Sequence, residues 1–147
     1  MPPDPPHSIT IPLSLALLQA IFIPLNAHLR TENPLLIPSG SQPQPDILVV
    51  NGAPRDYLAQ HPQPADVLLL IEVSDSTLQT DRSVKSPLYA EAGISEYWIL
   101  NLQDRQLEVH RTPLNGIWTS TFVVPSSGTV TPLAAPNATI AIVDLLP

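Results

Sequence analysis

Cysteine is absent from this 147-residue chain, which excludes disulfides, thiolate metal sites and cysteine nucleophiles. Nothing ties the chain to an oxidising compartment, and a cytoplasmic setting is the expectation. Any bound metal must be held by carboxylates or histidines. Basic residues are almost as scarce, with six Lys and Arg against thirteen Asp and Glu, a formal net charge of −7. Non-specific affinity for nucleic acid comes chiefly from Lys and Arg neutralising phosphates, so the balance argues against a strong DNA binder acting as a single copy. Five of the six are arginines (Arg30, Arg55, Arg82, Arg105 and Arg111), which leaves Lys85 as the sole lysine. The four histidines, His7, His28, His61 and His110, show no His-x-x-x-His spacing, so zinc is not expected and surface positions are.

What is abundant is apolar. Hydrophobic residues make up 44% and charged residues 13%, the reverse of a disordered composition. The length suits one domain over residues 1–147 with a core of its own. The 19 prolines fall mostly at segment borders and near the N-terminus, in MPPDPPHS and SQPQPD, so residues 1–12 are expected to be poorly ordered. The stretch from Ile9 to Leu25 reaches the lower length limit for crossing a bilayer. It is preceded by Asp4 and by no Lys or Arg, however, whereas a signal or oriented span needs positive charge. A buried amphipathic helix is the working reading and no membrane is expected. It starts near Ser14, carries the stripe Leu15, Leu18, Phe22, Leu25 and Leu29, and is kinked or split at Pro24.

Further along, Leu35 to Pro38 reads as a short strand and Asp46 to Val50 (DILVV) as a clearer one, followed by the polar loop NGAPRDYLAQHPQPAD. Val67 to Val73 (VLLLIEV) is a continuous apolar run, the pattern of a central strand buried on both faces. Glu72 interrupts it with a carboxylate that is costly to bury unless paired or bound to metal. Lys85, Leu88, Tyr89 and Ala92 mark one face of a helix beginning close to Lys85, since Pro87 is tolerated only near a first turn, with Gly93 as its left-handed cap. Asp75 belongs to the turn after the strand, and Asp81 and Arg82 cap the helix or face solvent. Glu96 to Leu100 and Leu107 to Arg111 form a hairpin around NLQDRQ, with Tyr97 and Trp98 in the core. Later strands span Ile117 to Val124, Thr129 to Leu133 and Thr139 to Val143, giving an α/β or α+β sheet with helices packed on it.

A magnesium site needs oxygen donors, commonly one or two carboxylates completed by water and substrate phosphate. Asp46 at the start of one strand and Glu72 near the end of another would meet if the strands are antiparallel neighbours. Lys85, on the inward face of the following helix, could orient the attacking water or stabilise charge developing on phosphate. A purely structural ion pair between Glu72 and Lys85 is the plainer alternative.

The segments QPDILVV and LLLIEVSDSTLQTDRSVKSPLYAEAGISEYWILN resemble the Uma2 family of restriction-endonuclease-like proteins, also known as DUF820 and common in cyanobacteria. The resemblance spans roughly Asp46 to Val143 and is strongest from Leu68 to Asn101. The family is similar to PD-(D/E)xK nucleases, which implies a restriction-endonuclease-like mixed central sheet flanked by helices, with Mg²⁺, or Mn²⁺ in its place, at the strand ends and DNA as substrate. By that resemblance Asp46 matches the motif aspartate and Glu72 the second acid, both metal ligands. Ser74 stands where the usual motif lysine would be, and Lys85 looks like that lysine migrated to the helix. Family members begin with a longer region bearing a helix, a Glu-Leu-x-x-Gly-like strand pair and an extra acid, with no counterpart found in MPPDPPHSITIPLSL. The chain therefore reads as N-terminally shortened, and a catalytically degenerate binding or assembly module is the alternative function. Dimerisation is a further expectation, since a pair of copies could gather the few arginines around one groove.

Overall fold

The structure, a computed structural model, describes residues 4–147. Six strands form one mixed sheet in the order β1-β2-β3-β4-β5-β6: Ala27–Arg30, Ile47–Asn51, Val67–Ser74, Glu96–Asn101, Gln106–Leu114 and Ile117–Pro125. Every neighbouring pair is antiparallel except β3 and β4, which run parallel through a helical crossover. A parallel connection cannot be made by a hairpin, so the chain between β3 and β4 must cross one sheet face. That crossover comprises α2 (Leu78–Thr80), a π turn (Asp81–Lys85) and α3 (Ser86–Ala92), ending on Gly93 at φ 85°. The remaining helix, α1 (Pro5–Phe22), precedes the sheet, and a small pair, β7 (Thr129–Val130) and β8 (Ile140–Ala141), follows it.

Alternation along the strands divides the interior into two cores, because successive side chains of a strand point to opposite faces. Ile47, Val49, Leu69, Ile71, Trp98 and Leu100 face Leu18 and Phe22 of α1 and the C-terminal residues Ile142, Leu145 and Leu146. Leu48, Val50, Leu70, Tyr97 and Ile99 face the crossover through Leu78, Tyr89 and Ile94. Glu72 and Ser74 follow Leu70 at even spacing and so lie on the crossover side. β3 is buried along almost its whole length, as a central strand covered on both faces should be.

Several local expectations are corrected. The first helix begins at Pro5, not near Ser14, because the Asp4 side chain accepts from the His7 amide and two prolines occupy the opening turn, where no amide donor is needed. Residues 5–12 are therefore helical; the part of that expectation concerning residues 1–3 lies outside the described residues. Pro24 ends the helix in a 3₁₀ turn, Ile23–Leu25, and Asn26 at φ 59° redirects the chain into β1, so Leu29 is a strand residue. Leu35 to Pro38 forms no strand. The arm is extended and buries Leu35 and Ile37, but prolines at 34, 38, 43 and 45 deprive it and its partner segment of ladder donors.

Candidate functional site

The register of β2 against β3 pairs Ile47 with Ile71, and one step further places Asp46 opposite Glu72. There the ladder is continued by side chains. The Asp46 amide donates to Glu72 Oε1 at 2.9 Å, and the Val73 amide donates to Asp46 Oδ2 at 2.8 Å. Each acid is thus held by backbone of the other's strand. Lys85 approaches from the end of the π turn with Nζ 2.8 Å from Glu72 Oε2, and the Tyr89 hydroxyl, one helical turn on, donates to the same oxygen at 3.1 Å. The three residues singled out in the sequence, Asp46, Glu72 and Lys85, are brought together. Glu72 is almost wholly enclosed, with 2% of its side chain exposed, whereas Lys85 keeps 34% of its own in contact with solvent.

Three further members were not anticipated. Asp81, expected at a cap or in solvent, is 1% exposed. Its Oδ2 accepts from the Ser74 hydroxyl and from Thr77 Oγ1 at 2.9 Å, and Lys85 Nζ lies 3.2 Å from its Oδ1. The helical segment begins at Leu78, not at Lys85. Pro87 is accommodated by the π turn, in which the Ser86 amide reaches back five residues to the Asp81 carbonyl. That extension puts Asp81 and Lys85, four residues apart, on one side. Tyr89 lies on the inward face that its spacing predicts, and its hydroxyl adds a contact with Glu72 that spacing alone does not show. His7, expected on the surface, lies on α1 with Nε2 3.3 Å from Asp46 Oδ2. His28 and His110 are also half-buried, and His61 alone is exposed as expected.

The charges are unequal in their consequences. Burial, reinforced by the Asp46 carboxylate, pushes the Glu72 carboxyl up to about 7 from its usual 4.5, although Lys85 opposes the rise. Burial works against the Lys85 charge, but Glu72 and Asp81 together outweigh it and hold the ammonium above its ordinary value. Lys85 is therefore charged at neutral pH while Glu72 is near its midpoint, because two acids offset burial at the lysine, whereas at Glu72 burial and Asp46 together exceed the pull of the one cation. Burial and the nearby acids drive the Tyr89 hydroxyl upward, so it remains a donor. Just after β3, Asp75 is raised chiefly by a hydrogen bond with Asp4, with burial and the Asp4 charge adding to it.

Arg82 anchors the turn from its other side. Its Nε and a terminal nitrogen donate to the two Glu108 oxygens at 2.8 and 2.5 Å, and Asn101 adds 2.9 Å. The Tyr97 hydroxyl donates to the Asp81 carbonyl at 3.1 Å. Lys85 is thus presented by a segment tied to β3, β4 and β5.

For a divalent cation the donor set is two carboxylates on adjacent strands. Both hydrogen bonds to the Asp46 carboxylate fall on Oδ2, and among the described residues Oδ1 receives none. Its side chain is 18% exposed. Two hard oxygen donors, with the Asp46 carboxylate partly open to solvent, suit Mg²⁺, which usually completes its shell with water and substrate phosphate. Among the described residues no cluster of three or more His, Cys, Asp or Glu could hold an ion without that help.

Comparison with known proteins agrees with this geometry at the level of family and fold. A crystal structure of an Anabaena variabilis ATCC 29413 protein, described as "a putative nuclease belonging to DUF820", superposes with a TM-score of 0.74. The two sequences are 17% identical, and the match covers 97% of this chain and 81% of that one. The shared fold is the restriction-endonuclease-like mixed sheet flanked by helices. No curated protein matches the sequence. The family model "Uma2: Putative restriction endonuclease" matches residues 1–143, taking in the region before Asp46 as well as the segments that carry the resemblance. The chain belongs to the Uma2 family.

Proposed function

We propose that the protein is a metal-dependent endonuclease that hydrolyses DNA phosphodiester bonds, with Asp46 and Glu72 holding Mg²⁺, or Mn²⁺ in its place, and Lys85 acting beside them. The observation that carries the proposal is the convergence of these three side chains at one end of β2 and β3, where Glu72 is enclosed and Lys85 is open to solvent. A cation there would supply a Lewis acid for a phosphate oxygen and a more acidic water. Asp46 and Glu72 are each fixed by an amide donor of the neighbouring segment, and the Asp46 Oδ1 accepts no hydrogen bond among the described residues. The Lys85 ammonium stands beside Glu72 and is partly open to solvent, where a phosphate or an attacking water would meet it, and its retained charge suits the stabilisation of a developing anion. Tyr89 keeps Glu72 in place while that happens. A buried ion pair serving packing alone would not call for a half-open lysine.

Recognition of a polyanion by a chain of net charge −7 requires its few bases to be concentrated, and a second copy is the partner in this reading. A cytoplasmic setting belongs to the same proposal. The test is cleavage of plasmid and single-stranded DNA with Mg²⁺ or Mn²⁺, comparing the native chain with Lys85→Ala and Glu72→Ala. Both substitutions are expected to lower the rate by at least about 10²-fold, the lower range for loss of a proton-transfer group, with the circular dichroism spectrum unchanged. A native chain that folds, binds neither cation and cuts neither substrate overturns the assignment and favours a non-catalytic binding module.

A further inference from the structure

Lysine is a poor instrument for positioning. Its four-carbon stem rotates freely, and its ammonium is a compact charge without the fixed fork of a guanidinium. Lys85 nevertheless has to stay at one spot while its partner Glu72 is engaged elsewhere. The structure provides a second hold. Asp81 is enclosed, and both the Ser74 hydroxyl and Thr77 Oγ1 are spent on Oδ2. Oδ1 has no hydrogen-bonding partner among the described residues, and the Lys85 ammonium stands 3.2 Å away, within ion-pair reach but off the line of a hydrogen bond. Asp81 cannot be accounted for as a helix cap, because the helical segment starts at Leu78 with Thr77 before it. Its backbone is pinned as well, by Tyr97 on its carbonyl and by the Ser86 amide of the π turn.

From this geometry we infer that Asp81 is a positioning residue, which keeps the Lys85 ammonium at the site while Glu72 is engaged, and that Ser74 serves it by fixing its carboxylate. The inference deepens the nuclease reading and rests on it for any effect on cleavage. Two acids on separate elements, Glu72 on β3 and Asp81 in the π turn, confine the ammonium from two directions, whereas Glu72 alone would leave the stem free to swing. Ser74, two residues after Glu72 on the same strand face, reaches the lysine only through Asp81. A misplacement of the order of 1 Å at a reacting group costs about 10²-fold in rate.

Because Lys85 is the sole lysine, protein labelled with ¹³Cε-lysine gives one side-chain signal, whose relaxation reports how tightly that ammonium is held. In the native chain the signal should be that of an ordered methylene. Asp81→Asn should make it mobile, lower kcat for DNA about 10²-fold with KM unchanged, and leave the fold intact, while Asp81→Glu should restore part of both. A lysine that stays ordered in Asp81→Asn, or a variant that cuts as fast as the native chain, overturns the inference. If Asp81→Asn does not give a native spectrum, Ser74→Ala keeps the carboxylate and removes its anchor; Lys85 should then gain mobility, and an unchanged signal overturns the inference equally. If the native chain cuts no DNA, the nuclease reading is what has failed, and relaxation alone decides whether Asp81 positions the lysine.

Discussion

Glu72 and Glu96 are both buried acids facing a base, yet the structure treats them differently. Glu96 accepts from Arg111 at 2.7 Å, Trp98 Nε1 at 2.8 Å and the Leu133 amide at 2.9 Å. Those contacts satisfy it without leaving its partner open to solvent, and Arg111 also donates to the Thr131 carbonyl. Arg111→Ala should therefore cost about 3–5 kcal/mol, the usual penalty for stranding a buried charge, measured by urea denaturation, with little change in DNA cleavage at a temperature where the variant is folded. Glu72 is held above its unfolded value, so the folded state binds its proton more tightly. Its contribution to stability is fully present below about pH 4.5 and is lost as pH rises to about 7. The interval corresponds to roughly 3 kcal/mol at about 1.4 kcal/mol per unit. Glu72→Gln should flatten this slope and be the more stable protein at pH 8, while at pH 5 the two should be close. Urea midpoints at the two pH values decide it; a Gln variant weaker at pH 8 would mean that attraction to Lys85 exceeds the cost of burial. A protein made less stable by ionising its own acid fits a site kept for chemistry.

The elements that carry the site differ in how far the sequence displays them. β3 and the β4–β5 hairpin are plain in it, because an unbroken apolar run and an alternating pair around a polar turn are strong signals, and Glu72 stands out as the carboxylate that interrupts the β3 run, whereas Asp46 and Lys85 come from the start of the β2 segment and from the crossover. The crossover departs from expectation at Pro87. A proline usually marks the first turn of a helix, but here the wider i−5 spacing of a π turn absorbs it, and that spacing has no residue signature of its own. The role of Asp81 is equally hidden, since an acid ahead of an expected helix is indistinguishable in sequence from a cap. The Asp81-to-Lys85 spacing of one helical turn was the available clue. β1 was hidden by Leu29 continuing the apolar stripe of α1, and His7 could not be placed because its contact with Asp46 spans 39 residues. At the end of the crossover Gly93 sits at φ 85°, and a Cβ there would meet nothing within 4 Å. Gly93→Ala should thus cost only the backbone strain of the left-handed region, roughly 1–2 kcal/mol, readable as a lowered Tm. A much larger loss would show that the cap sets the packing of α3 against β4.

At the scale of the whole molecule, α1 has two unlike sides. The span Pro5–Leu25 passes the length and hydropathy criteria for a membrane helix, and only 22% of its most apolar window is buried. Ile9, Leu13 and Ile23 are exposed along its outer side. The other side is different in kind. Thr10, Ser14, Leu18 and Phe22 recur every four residues and are enclosed against the sheet, with Thr10 Oγ1 donating to the Pro6 carbonyl at 2.7 Å. Leu18 and Phe22 belong to the same core as Trp98 and Leu100. Drawing α1 into a bilayer would uncover that core and remove His7 from Asp46. Burial of a side chain the size of Phe22 opposes the first step by several kcal/mol. The absence of Lys and Arg from the helix leaves nothing to attract it to an anionic surface. Phe22→Ala should therefore lower the stability of the purified protein by about 3–5 kcal/mol, and vesicles of anionic lipid should retain neither form on flotation. If α1 instead served as an anchor, the substitution would leave the urea midpoint of the remaining domain unchanged and the native chain would float with the lipid. The two measurements separate a core helix with an apolar outer side from a membrane segment resting against its own domain.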